Sequence, residues 1–156
     1  MTKHITILGK LPSKFLADFS DPQNEIWSMN LHDDEFLIPR VDVWFDLHQQ
    51  PKKESANLTI KNFPFEECHK LVKGRRFCST AAYLIAYAIV KEATKISLYG
   101  MKFIDDGNLR RQRELHNVRE MIFFAMGKGI EIEICDEDID YLFPEHIPED
   151  GVDFDQ

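Results

Sequence analysis

The chain has 156 residues, of which 44% are hydrophobic and 29% charged, the composition of one folded domain rather than of a disordered polypeptide. Its formal net charge is -8, so the protein as a whole repels nucleic acid polymers, and a bound anion needs a local basic pocket. Three widely spaced cysteines form no CxxC pair, and no apolar run reaches the ~20 residues that cross a bilayer. We therefore expect a cytoplasmic protein with no disulfide framework, no metal site and no membrane partner.

Three short apolar runs in the first half of the chain predict buried strands. Each run stops at a small or polar residue, and they cover residues 4–8, 25–29 and 41–47. Pro12 suits the first turn of a helix, so residues 13–19 predict a short helix after the first strand. The polar stretch after the third strand predicts a loop, with a minor strand at residues 58–60.

The second half of the chain alternates between helical and strand patterns. The strongest helical pattern begins at Ser79 or Thr80, either of which is a suitable N-cap, and continues with small apolar residues at helical spacing. The predicted helices cover residues 66–72, 79–93 and 109–126, and the predicted strands cover residues 95–99 and 130–134.

This order of elements predicts an α/β protein with a three-layer, doubly wound, Rossmann-like fold and a mostly parallel sheet. We expect about five strands in the order 3-2-1-4-5, in one domain at residues 1–135 that is followed by an acidic tail at residues 136–156. The strand order reverses between the first strand and the strand at residues 95–99. Ligands of such sheets bind at this switch point, outside the carboxyl ends of the strands, where Gly100 and Lys102 are expected.

The loop after the first strand has the composition of an anion site. It reads Gly9-Lys10-Leu11-Pro12-Ser13 and leads into a predicted helix, whose first N–H groups bind phosphate or carboxylate while Lys10 adds positive charge. The loop matches neither GxGxxG nor a P-loop, so we expect no dinucleotide cofactor and no nucleoside triphosphate hydrolysis. The alternative is a strand–helix turn that binds nothing.

Three arginines in the first turns of a predicted helix form a second candidate anion site. Arg110, Arg111 and Arg113 lie where the helix dipole disfavours cations by roughly 0.3–1 kcal/mol each, and a bound anion would offset that cost. The alternative is a set of surface ion pairs, because acidic residues lie close by in the sequence at Asp105, Asp106 and Glu114.

Polar residues that follow strands or cap helices add four candidates at the same edge. His48 is placed to donate a hydrogen bond or to act as a general base, and it is the catalytic candidate if the protein is an enzyme. Asn30 is placed to contact a base or a ribose, with a turn role as its alternative. The helix caps Ser79 and Thr80 complete the set.

Several segments together resemble a known group of proteins. They read ILGKLPS, EIWSMN, DVWFDLH, CSTAAYLIAYAI, KISLYGMKF and QRE…REMIFFAMGKGIEIEI. With these segments, residues 4–134 resemble small Rossmann-like proteins common in bacteriophage genomes, which are distantly similar to bacterial sialyltransferase-type and motility-accessory glycosyltransferases. In those glycosyltransferases the corresponding elements bind a nucleotide-sugar, so the resemblance implies a nucleotide-like small molecule as the ligand.

Two departures from the glycosyltransferase pattern favour binding over catalysis. The first loop in that family tends to be GNGPS-like, whereas the loop here keeps Gly9 and Pro12-Ser13 but lacks the asparagine. The aspartate that often follows the LYG-type strand is replaced here by Lys102. These departures from the family pattern count against transferase catalysis and are compatible with nucleotide binding.

We therefore expect binding, and in a bacteriophage setting sequestration, of a nucleotide-derived small molecule in the host cytoplasm as a counter-defence function, without a cofactor. One alternative is an enzyme that processes a nucleotide or a nucleotide-sugar with His48 as the base. A second alternative is a protein-interaction domain without a ligand. The hydrophobic content is compatible with a homo-oligomer.

Overall fold

One all-parallel sheet organises the computed structural model, which describes residues 1–102 and 107–143. The strands are β1 (His4–Leu8), β2 (Asn24–Met29), β3 (Val43–Asp46), β4 (Leu58–Thr59), β5 (Lys95–Tyr99) and β6 (Glu131–Ile134). Their order in the sheet is β4-β3-β2-β1-β5-β6. The sheet therefore has six strands rather than about five, because the predicted minor strand pairs in parallel with β3 at one edge. The other five strands have the predicted relative order.

The longer helices all pack on one face of the sheet. They are α1 (Phe65–Leu71), α2 (Thr80–Val90) and α3 (Leu109–Gly127), and α2 packs against both α1 and α3. A short helix, α4 (Ile139–Leu142), follows β6. Alternate residues of the strands, such as Ile5 and Ile7 of β1, point into the large apolar core beneath these helices.

The structure shows the predicted three-layer, doubly wound arrangement only in part, because the opposite face of the sheet has no α-helix among the described residues between β1 and β3. The helix predicted at residues 13–19 is wrong: the chain forms a 3₁₀ turn at Pro12–Leu16 and leaves it at Ala17 with an extended backbone. Ala17 is buried with Leu8 and Ile26 in a small second core, so packing favours an extended chain there over a further helical turn. The connection between β2 and β3 likewise contains only a 3₁₀ turn, Glu35–Leu37.

The three thiols are free, with Cys68 and Cys135 buried and Cys78 exposed. Burial raises the pKa of the Cys68 thiol to about 12, so this side chain behaves as a small apolar residue of the core. Within residues 1–102 and 107–143, no group of side chains is arranged to hold a metal ion. No helix of these same segments has the length and apolar character required to cross a membrane.

Candidate functional site

A cleft of about 1000 Å³ opens at the carboxyl ends of the central strands. It lies where β1 and β5 are neighbours and the strand order reverses, which is the predicted switch point. Nine of the twelve candidate residues from the sequence line it: Gly9, Lys10, Asn30, His48, Ser79, Thr80, Gly100, Lys102 and Arg110. The remaining three, Pro12, Ser13 and Arg113, do not line the cleft.

The floor of the cleft is backbone from the ends of β1 and β5. The amide of Gly9 donates to the Tyr99 carbonyl over 2.7 Å, and the amide of Leu11 donates to the Gly100 carbonyl over 3.0 Å. A Cβ on Gly9 would lie 2.3 Å from the Gly100 carbonyl oxygen, and Gly100 has a φ of +78°. Both positions therefore require glycine, and only glycine lets the two loops approach so closely.

Pro12 and Ser13 lie behind this floor and support it. Pro12 begins the 3₁₀ turn, and the buried hydroxyl of Ser13 donates to the Asp138 carboxylate over 2.7 Å. The second oxygen of Asp138 accepts from the Gly100 amide over 2.7 Å. The buried Asp138 thus ties the two loops that form the floor, and Ser13 contributes to their position rather than to the lining of the cleft.

A buried lysine, Lys14, holds the loop after β1 from the face of the sheet opposite the helices. The side chain of Lys14 is completely buried, and its Nζ donates to the Lys10 carbonyl over 3.1 Å. The same ammonium lies 3.0 Å from His32 Nδ1 and 2.5 Å from the Asp34 carboxylate. The imidazole Nε2 of His32 lies 2.8 Å from the Met29 carbonyl, which assigns the proton to Nε2 and leaves Nδ1 to accept from Lys14.

These contacts change the titration of both partners of Lys14. Burial lowers the pKa of His32, so its imidazole is neutral. The hydrogen bond from Lys14 lowers the pKa of Asp34, so this carboxyl is ionised. The result is an ammonium–carboxylate pair with a neutral histidine beside it, directly beneath the loop that carries Lys10.

Asn30 adopts a strained backbone at the end of β2. Its φ is 63°, in the left-handed region, and its amide donates to the Phe45 carbonyl over 2.8 Å. Its own carbonyl accepts from the Trp44 indole over 2.7 Å. The side-chain Oδ1 is buried and has no hydrogen-bond partner in the part of the chain that the structure describes. Asn30 thus lines the cleft as a residue and carries a buried acceptor whose hydrogen bond is unmade within the described residues.

His48 is oriented by a carboxylate that lies beneath it. The imidazole Nδ1 lies 2.7 Å from Asp46 Oδ1, and the other oxygen of Asp46 accepts from the amides of Lys52 and Lys53. Burial alone would raise the pKa of Asp46, but these amide and imidazole hydrogen bonds hold it below the ordinary value. The ionised carboxylate therefore accepts the Nδ1 proton and leaves the lone pair of His48 on Nε2, while half of the side chain is exposed at the cleft.

The first turn of α2 forms one wall of the cleft. Ser79 is the N-cap, and its hydroxyl accepts from the Ala82 amide over 3.3 Å, as the sequence predicts. Thr80 and Ala81 follow at the cleft, and amides of a first helical turn have no acceptor within the helix. Before the cap, Cys78 donates from its amide to Asn117 Oδ1 on α3 over 3.0 Å, which holds this wall against α3.

Three cations surround the cleft, and one carboxylate accompanies them. Lys10 and Lys102 are exposed at its edge, and the Nζ of Lys102 lies 5.4 Å from the centre of the Tyr141 ring. Arg110 is also exposed and lies 3.3 Å from the Glu114 carboxylate. Part of the predicted surface ion pairing is thus present, whereas Asp105 and Asp106 lie outside the described residues. Among the described residues, the lining carries more positive than negative charge, although the protein is acidic.

The remaining arginines lie away from the lining. Arg113 is exposed one turn further along α3, and Arg111 is exposed with its amide donating to the N-cap Asn108. Arg111 points away from Arg110, since successive residues are about 100° apart around the axis, whereas Arg113 lies on the same side of α3 as Arg110 but about one turn further from the cleft. The sequence therefore placed the cluster correctly on a helix start but did not separate Arg110 from Arg113.

Several residues of the site were not recognised from the sequence. Asp46 orients His48, Lys14 holds the loop after β1, and Asp138 ties together the floor of the cleft. Only Asp46 had a local signal, an acidic residue two positions before a histidine at a strand end. Lys14 is 20 residues from Asp34 and Asp138 is 125 residues from Ser13, so tertiary structure alone brings these groups together.

Comparison with known proteins gives a distant resemblance of fold. No family model matches the chain, and no curated protein matches it. One similar solved structure is the sialyltransferase CST-II in complex with a trisaccharide acceptor and CMP, with 12% identity over 90% of this chain and 85% of that chain, at a TM-score of 0.47. Another is the sialyltransferase CstII from Campylobacter jejuni with the substrate analogue CMP-3FNeuAc, with 13% identity over 86% and 80% of the two chains, at a TM-score of 0.45.

Proposed function

We propose that the cleft binds a nucleotide-derived small molecule through its phosphate and its base. The observation that carries this proposal is the convergence of two backbone loops, the start of α2 and three cations on one cleft at the switch point of the sheet. Lys10, Lys102 and Arg110 supply positive charge for a phosphate, and the first-turn amides of α2 supply donors.

The apolar part of the lining suits a planar base. Met29, Leu47, Phe77 and Met101 share the cleft with the cations, so an aromatic ring and a phosphate are accommodated side by side. The buried Oδ1 of Asn30 adds one acceptor for an N–H of such a ring. In a bacteriophage setting, which the sequence resemblance implies, binding without turnover would sequester a host nucleotide signal, and the protein would act in counter-defence.

The binding function is tested with thermal shift and titration calorimetry against nucleoside monophosphates, cyclic nucleotides and nucleotide-sugars. A ligand at about 100 times its Kd stabilises the folded state by ~2.7 kcal/mol and raises the Tm. We expect the double variant Lys10→Ala/Arg110→Ala to lose about tenfold or more in affinity, because it removes two phosphate contacts.

A matched control removes two cations from the opposite edge of the sheet. Lys91 and Lys128 are exposed at the carboxyl ends of α2 and α3, and their double alanine variant should retain the wild-type affinity. If no compound of the panel binds, or if the cleft variant binds as tightly as the control, nucleotide binding at this site is refuted and the protein-interaction alternative becomes the better account.

The His48–Asp46 pair supports a second candidate, an enzyme that processes a nucleotide or a nucleotide-sugar. The carboxylate fixes the imidazole with its Nε2 lone pair available, which is the arrangement that a general base requires. Such a base would take a proton from a water or from a hydroxyl group as that oxygen attacks a phosphorus atom of the bound ligand, and the P–O bond to the leaving group would break as the leaving oxygen takes the proton back from the imidazolium.

Recovery of each bound compound after incubation separates the two functions. Product formation that disappears in His48→Gln, while calorimetry still detects binding, would establish the enzyme and identify His48 as its base. Complete recovery of unchanged ligand with the wild-type protein would remove this second candidate and leave the binding function.

A further inference from the structure

A basic rim adjoins the cleft, and apart from Arg110 its residues do not line the cleft. Seven of the 19 lysines and arginines lie in two short segments, residues 70–76 and 110–113, although the protein carries a net charge of -8. The first segment, KLVKGRR, contains no acidic residue, and it leads directly into Phe77 and Cys78 at the cleft wall. Positive charge is thus concentrated beside the cleft.

Two contacts hold the first segment along α3. Arg75 pairs with the Glu120 carboxylate, and three residues later the Cys78 amide donates to Asn117 over 3.0 Å. The chain therefore runs along α3 towards the helix start as it approaches the cleft, and Arg76 lies between the two contacts.

The second segment continues the same line on α3. Arg110, Arg113 and Asn117 are three and four residues apart, so they share one face of the helix. From the cleft, this face presents Arg110, then Arg113, then the tether at Asn117, and the chain at Arg76 lies between this tether and the Arg75–Glu120 pair. The ten residue steps from Arg110 to Glu120 extend over ~15 Å of helix.

The two arginines in the middle of this line differ from their neighbours in their ion pairing within the described residues. Arg110 and Arg75 each have a glutamate partner, Glu114 and Glu120. Arg76 and Arg113 are both exposed, and within residues 1–102 and 107–143 neither has an acidic partner. Two unneutralised guanidinium groups next to a cationic cleft extend its positive potential outward.

We propose that the ligand of the cleft is a nucleotide with two or more phosphate groups, whose outer phosphates leave the cleft past Arg110 and bind Arg113 and Arg76. This inference rests on the proposed nucleotide-binding function. Guanidinium groups bind phosphate oxygens through paired N–H donors, which makes arginine the suited residue for a phosphate chain that is partly exposed to solvent.

The inference is tested by calorimetry with the mono-, di- and triphosphates of adenosine and cytidine, in the presence of EDTA and at low salt. We expect the wild-type affinity to rise about tenfold or more from the monophosphate to the triphosphate. The double variant Arg76→Ala/Arg113→Ala should lose that rise and keep the monophosphate affinity within about twofold, because neither side chain lines the cleft. The Lys91→Ala/Lys128→Ala protein is the charge-matched control and should retain the rise.

The outcomes distinguish binding of the outer phosphates at the rim from binding of the nucleotide in the cleft. A monophosphate that binds as well as the triphosphate, or a rise that persists in the rim variant, overturns this inference and leaves the proposed function intact. Failure of mono-, di- and triphosphates alike to bind the wild type overturns this inference, and the proposed function is overturned with it if cyclic nucleotides and nucleotide-sugars also fail to bind. Binding of a short thymidine oligonucleotide, without binding of the nucleoside triphosphates, overturns the inference in favour of a nucleic acid partner.

Discussion

On one face of the sheet, three helices cover a continuous apolar core, and on the other, 3₁₀ turns cover a layer in which polar side chains are buried. Ile96 and Leu98 of β5 lie in the helical core, whereas Ser97 between them is equally buried and contacts His4 on the opposite face. The first face gains stability from the amount of apolar surface removed from water. The second depends on individual hydrogen bonds, and these are the bonds that position the loops of the cleft.

The largest loss of stability should follow from a cavity in the helical core. Leu84 of α2 is completely buried in it, so Leu84→Ala should lower the free energy of unfolding by about 2–5 kcal/mol. Urea denaturation measures this change. Leu37→Ala, at an exposed leucine of the second face, is the matched control, and we expect it to change stability by less than about 0.5 kcal/mol. Similar losses in the two proteins would contradict the contrast between the faces.

A smaller loss should follow when one polar tether of the floor is removed. Asp138→Ala leaves the Ser13 hydroxyl and the Gly100 amide without their acceptor, at a cost of about 1–3 kcal/mol. Because both donors belong to loops at the cleft, ligand affinity should fall in the same protein. Asp140→Ala, at an exposed neighbour in α4, controls for the loss of an acidic residue. A variant with lowered stability but unchanged ligand affinity would show that Asp138 does not position the cleft.

A gradual dependence of stability on pH should also arise on the face of the sheet opposite the helices, where His32 is buried. Burial lowers the pKa of His32 below its ordinary value of 6.5, so the unfolded chain takes up a proton at this residue before the folded protein does. The contribution of His32 to stability is therefore complete above about pH 6.5 and is lost progressively as the pH falls below it. Urea denaturation between neutral and mildly acidic pH should show a shallower pH dependence in His32→Gln than in the wild type. Parallel pH profiles would exclude His32 as a source of the effect.

The helical face could be predicted from the sequence because its signal is local. The periodic apolar residues of α2 and α3 determine both the helices and their buried sides, and the predicted ends lie within a few residues of the observed ones. The alternation of helices and strands then restricts the connections, so the relative order of five strands could be deduced.

The second face could be predicted only in part, because its contacts join distant segments. Residues 13–19 have the local pattern of a helix, yet Lys14 is buried beside His32 and Asp34, and Ala17 packs on the sheet. No local sequence pattern predicts that Lys14 is buried, because lysine is rarely buried without a partner and its partners here are distant in the sequence. The candidate site could likewise be predicted only in part. The sequence identified lining residues at strand ends, but it did not identify the buried groups that support them.

The close approach of Gly9 and Gly100 restricts where the ligand preference of this protein can change. Any side chain at Gly9 would collide with the backbone of the loop at Gly100, so the floor of the cleft requires glycine at this position. Exposed residues of the walls, such as Gln49 and Lys102, carry no such restriction on their size. A directed-evolution library aimed at a new ligand should therefore randomise the walls, and the recovered variants should all retain the two glycines.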